Sequence, residues 1–116
     1  MSRSVIEETR GDARFRHLLL ECIDESLRNV FSEGVRQTIF YQLEDKFSLR
    51  REEVPQRVHD FEKGLTAMVG SPAAVLIRLI VRNLSAKLEI PYHQRMNYDF
   101  KMYVEDCKRR YEEKRD

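Results

Sequence analysis

The chain has 116 residues, in which 21 basic side chains almost cancel 20 acidic ones. That length fits one domain able to bury a core without disulfides or metal. The near-neutral balance excludes a chain-wide electrostatic drive toward nucleic acid or acidic membrane, although local patches stay open.

Residues 1–12 carry no sustained periodicity and are expected to form a mobile arm ahead of a single helical domain at 13–116. The polar start lacks the apolar run of a secretion signal, so a cytoplasmic protein is expected. From Ala13 to Phe31, the residues Phe15, Leu19, Cys22, Ile23, Leu27 and Val30 fall on one stripe opposite charged residues. This is an amphipathic first helix with Asp12 as its expected N-cap. After the break at Ser32-Glu33-Gly34, a second helix is predicted over Glu33–Phe47, with Val35, Ile39, Leu43 and Phe47 inward and Phe40 on the flank.

The run SLRREEVPQR at residues 48–57 is dense in charge and holds Pro55, so it reads as a connector with one helical turn at 51–54. A third helix follows over Val58–Val69, turning Val58, Phe61, Leu65, Met68 and Val69 inward. Gly70-Ser71-Pro72 is the clearest punctuation in the chain. Gly can close one helix, Ser can cap the next, and Pro at its first position loses only an N–H that would be unpaired anyway.

The segment Pro72–Leu88 (PAAVLIRLIVRNLSAKL) is apolar around well over half of a helical circumference. Arg78, Arg82 and Ser85 share one narrow ridge on it. So apolar a helix needs neighbours around it, which predicts the central helix of a compact all-α bundle of about five helices. It is too short to span a bilayer. Ile90-Pro91 stops it, because the residue before Pro avoids the helical region. A last helix is predicted from Asn97 or Tyr98 to Glu113, with Phe100, Tyr103, Val104, Cys107 and Tyr111 as its stripe.

No constellation for chemistry stands out. None of His17, His59 and His93 has a second ligand at a spacing typical of zinc sites, so no metal and no cofactor are expected. The glycines sit singly rather than in a phosphate-binding loop. Cys22 and Cys107 fall on apolar faces and read as small buried hydrophobes, with a bond between them left open. The paired carboxylates occupy charge-mixed segments with nothing to raise their pKa. A non-enzyme is expected.

Tyr41, Tyr98 and Met102 point away from the core stripes, and exposed Tyr and Met are common where partners dock. With Arg50 and Arg51 as a polar rim, they are the candidate contact residues for another protein or a second copy, hence a dimer. Two other readings stay open. Arg78 and Arg82, with Arg50 and Arg51, would serve a nucleic-acid-binding regulator, and a pocket between the helices would serve a small-molecule sensor.

Several runs carry a resemblance. Leu18–Leu27 (LLLECIDESL), Gly34–Glu44 (GVRQTIFYQLE), Phe47–Pro55 (FSLRREEVP) and Phe61–Leu88 resemble a small helical domain widespread in archaea, the Nitrosopumilus output domain family. The pair Phe40-Tyr41 with Leu43-Glu44, followed by Arg-Glu-Glu-Val-Pro at residues 51–55, is the most characteristic part. Ser71-Pro72-Ala73 departs from the glycine common there in the family, which affects capping. The resemblance spans 18–111 and implies an all-α, intracellular, archaeal signalling-output module, with no catalytic residue to assign.

Overall fold

Short polar breaks divide the chain into amphipathic segments, each too apolar on one side to stand alone. The computed structural model describes the backbone of residues 2–115 and the side chains of residues 13–114. Its elements are α1 (Ser2–Val30), α2 (Glu33–Phe47), a 3₁₀ helix (Arg51–Gln56), α3 (Val58–Val69), α4 (Pro72–Lys87) and α5 (Phe100–Arg115). The fold is an all-α bundle, as its sequence pattern predicts.

Helix α1 begins at Ser2, so Asp12 lies inside it rather than capping its start. The side chains of the expected arm, residues 1–12, lie outside the described residues. Within α1, Phe15, Leu19, Cys22, Ile23 and Leu27 are buried as the periodicity requires. Val30, placed on the same stripe by sequence, is 49% exposed. Val35 on α2 is likewise 44% exposed, because α2 leans mainly on α3 and meets α1 only lightly.

Helix α4 occupies the middle of the bundle, touching α1, α3 and α5. Ala73, Leu76, Ile77, Ile80, Val81, Leu84 and Ser85 form its buried face. Ser85 therefore does not belong to the arginine ridge; its hydroxyl lies 3.8 Å from the Cys107 sulfur in the core. Phe61 of α3 and Phe100 of α5, both wholly buried, tilt against each other with ring centroids 6.1 Å apart. Gly64 lets α2 approach α3, since a Cβ there would stand 2.5 Å from Leu43 Cδ2.

Helix ends follow local chemistry. Ser32 Oγ accepts from the Val35 N–H at the start of α2. The Arg57 guanidinium donates to the Ser48 and Phe47 carbonyls at the end of α2 and to Asp60. Gly70, at φ 75°, turns the chain from α3 into α4. Ser71 occupies the next N-cap position, but its side chain makes no capping bond there. Helix α4 stops earlier than Pro91 demands. Glu89 is left-handed at φ 57°, the Ile90 N–H bonds back to the Ser85 carbonyl, and the Glu89 N–H bonds to Ala86. That pair of bonds closes the helix as a Schellman motif, with Ile90 packed beneath it.

Candidate functional site

The outer face of α4 is the least protein-covered apolar surface of the bundle's centre. Helices α1, α3 and α5 take one side of it, and Ala74, Val75, Arg78, Leu79 and Arg82 face solvent. The expectation of a helix covered all round therefore holds for one face only: Val75 is 53% exposed and Leu79 39%. The geometry explains why. Three neighbours packed on one side cannot also close over the other.

This open strip continues onto the end of α1. Val30, Phe31, Pro72, Val75, Leu76 and Leu79 line an apolar groove of about 530 Å³. The sequence placed Val30 in the core and gave Val75 and Leu79 to neighbouring helices, so it missed the groove. The available signal was the width of the apolar arc on α4, broader than one buried face requires. Beyond the groove the same helix carries Arg78 and Arg82, and it has no acidic residue of its own. Neither arginine has an ion-pair partner among the described residues.

Arg82 instead lies over the Tyr92 ring, 5.6 Å from its centroid. Tyr92 belongs to a cluster that holds the segment between α4 and α5. Tyr103 is 6.2 Å from Tyr92 and meets Tyr98 edge-on at 5.1 Å. The Tyr103 hydroxyl accepts from the Arg95 N–H and donates to the Arg95 carbonyl. Burial, reinforced by Tyr103, pushes the Tyr92 phenol above its ordinary pKa. Arg78 faces a depression of about 180 Å³ shared with Glu62, Tyr92, Arg95 and Tyr98.

The residues expected to contact a partner are distributed unevenly. Tyr98 and Met102 come together, lining an open depression of about 450 Å³ with Glu105, Asp106 and Arg109. Tyr41 is 66% exposed on α2 and does not line it. Arg51 pairs with Asp24 and so ties the 3₁₀ helix to α1, while the Arg50 side chain is exposed.

Among the described residues, two cysteines and one polar triad are further candidate reactive groups. Burial pushes the Cys22 thiol up to about 12, against the opposing pull of Lys87. Burial raises the Cys107 thiol as well, partly offset by its contact with Ser85. The two are near enough to influence each other's charge, and both are free. Neither supplies a thiolate at neutral pH. His59, Glu62 and Asp99 bring one ligand atom each to within 4.8 Å of one another, at the junction of α3 and α5. The sequence separates Asp99 from the other two, so no motif announces this group.

No described helix is long and apolar enough to cross a membrane. No family model, no curated protein and no solved structure matches the chain.

Proposed function

We propose that the chain is a non-enzymatic interaction module that docks an amphipathic helix of another protein, with acidic residues flanking its apolar stripe. The groove from Val30 to Leu79 carries this reading. It is apolar and open to solvent, and Arg78 and Arg82, further along the exposed face of α4, lack ion-pair partners among the described residues. An apolar groove receives the hydrophobic stripe of a helix, and unpaired guanidinium groups beside it select acidic flanks. A second copy of the chain fits less well, because α4 carries Arg78, Arg82 and Lys87 and no acidic residue, so a second α4 brings no carboxylate to these arginines. The finer assignment, a cytoplasmic signalling-output role of archaeal type, rests on the resemblance carried by residues 18–111.

Amide chemical-shift mapping tests the proposal. The probe is a synthetic amphipathic helical peptide with a Leu stripe, made with Glu flanks and again with Lys flanks. The Glu peptide should shift amides around Val30, Val75 and Leu79, and weaken as salt rises. The Lys peptide should shift them far less. No response to either peptide, or shifts confined to Tyr98 and Met102, overturns the reading. A dimer in sedimentation that is lost with Val75→Asp replaces the foreign helix by a second copy.

A further inference from the structure

We infer that His59, Glu62 and Asp99 form a binding site for a divalent transition-metal ion, a role distinct from the docking groove. Each residue is anchored by the fold. His59 and Glu62 stand three apart on α3, which puts them on one side of that helix. Phe61, between them, and Phe100, next to Asp99, are the two wholly buried rings that pack α3 against α5. The backbones bearing the three side chains are therefore fixed relative to each other, while the side chains stay near the surface.

The carboxylates are oriented without being used up. Glu62 Oε1 accepts from the Phe100 N–H at 3.3 Å, and Asp99 Oδ1 accepts from the Met102 N–H at 2.9 Å. One oxygen of each remains. Neither carboxylate has an ion-pair partner among the described residues, although they lie within 4.8 Å of each other and of the His59 ring. Two adjacent carboxylates repel, and a divalent cation between them removes that repulsion. Their combined charge outweighs the partial positive charge, roughly half a unit, at the start of α5.

Ligands on a tetrahedral ion stand about 3.3 Å apart, given bonds of about 2.0–2.1 Å. Side-chain rotation by the exposed His59 and the half-buried acids can close the remaining gap. Water would complete the coordination. One imidazole with two carboxylates suits Zn²⁺, Co²⁺ or Mn²⁺ and is a poor match for Mg²⁺ or Ca²⁺, which take oxygen ligands.

The test uses the untagged full chain. Co²⁺ is titrated while its visible d–d absorption is followed, and Zn²⁺ binding is measured by calorimetry. Saturation near one ion per chain, with micromolar affinity, is the expected result. His59→Ala should weaken binding at least about tenfold with the far-ultraviolet circular dichroism unchanged, because His59 is exposed. Glu62→Gln, whose amide oxygen can still accept from Phe100, should weaken it similarly. His93→Ala should leave it intact. Absence of Co²⁺ absorption and Zn²⁺ heat at millimolar metal, or equal affinity in His59→Ala, overturns the site.

Discussion

Glu25 and Lys87 lie 62 positions apart in the chain, yet the ammonium of one donates to the carboxylate of the other at 2.9 Å. Asn83 donates to the second oxygen of Glu25 at 3.1 Å, so one acid ties α1 to the last two turns of α4. The Lys87 bond, joined by that from Asn83, holds the Glu25 carboxyl below its ordinary 4.5. The reciprocal bond from Glu25 holds Lys87 above 10.5. Glu25 therefore stabilises the fold above its unfolded pKa, and this is lost as pH falls through the lowered folded value. Lys87 stabilises below its unfolded pKa and loses this as pH rises through the raised folded value. The pair's own contribution to the thermal midpoint should be level between these limits and be lost beyond both, while the buried thiols lower the midpoint on the alkaline side as the unfolded cysteines ionise. Glu25→Gln should flatten the acid-side fall; identical acid slopes in the two proteins would remove the pair from the pH dependence.

Two helices end on left-handed residues that are not glycine, Ser48 at φ 51° and Glu89 at φ 57°. A side chain in that region costs about 1–2 kcal/mol, and glycine gives back part of this through its looser unfolded state. Ser48→Gly and Glu89→Gly should each raise unfolding stability by about 0.5–1 kcal/mol in urea titrations. The ion pair of Glu89 with Lys114, at 3.8 Å on an exposed side chain, is too weak to reverse the sign.

The two faces of α4 should respond oppositely to substitution. Val75→Gln and Leu79→Gln lie on the open face, so each should change stability by no more than about 0.5 kcal/mol. Both should abolish the amide shifts produced by the acidic-flanked peptide. Ile80→Ala, on the wholly buried face, should cost about 2–5 kcal/mol in denaturant. Equal losses at Leu79 and Ile80 would mean that the outer face is covered in solution.

Cys22 and Cys107 should resist a water-soluble disulfide reagent at pH 8. Both are buried, and the Cys22 thiol is raised to about 12. Reaction should follow global unfolding, with both thiols becoming accessible in the same urea transition. Fast labelling of the native protein would show local opening between α1 and α5.

Much of the architecture is legible in local pattern. The stripe from Phe15 to Leu27, the Gly70-Ser71-Pro72 break and the buried row from Leu76 to Leu84 are short-range signals, and they read through to the fold. Residues at the ends of stripes misled. Val30 and Val35 continue their helical periodicity, but exposure depends on where a neighbouring helix stops. Ser85 looked like part of a polar ridge because its distance in angle from Arg82 is modest. Its contact with Cys107 depends on α5 lying beside it. Tyr98 and Met102 share one depression, whereas Tyr41 is held apart on α2.

Helix identity and the positions of the breaks between helices were legible in the sequence, because hydrophobic periodicity and the backbone limits of glycine and proline act within a few residues. The start of α1 and the Schellman end of α4 were not. The groove over Val75 and Leu79 and the approach of Asp99 to the His59–Glu62 pair were decided by tertiary structure alone. Which side of α4 is covered depends on how many neighbours fit around it. Asp99 reaches α3 only because Phe61 and Phe100 pack together in the core, burying apolar surface that no local pattern pairs in advance.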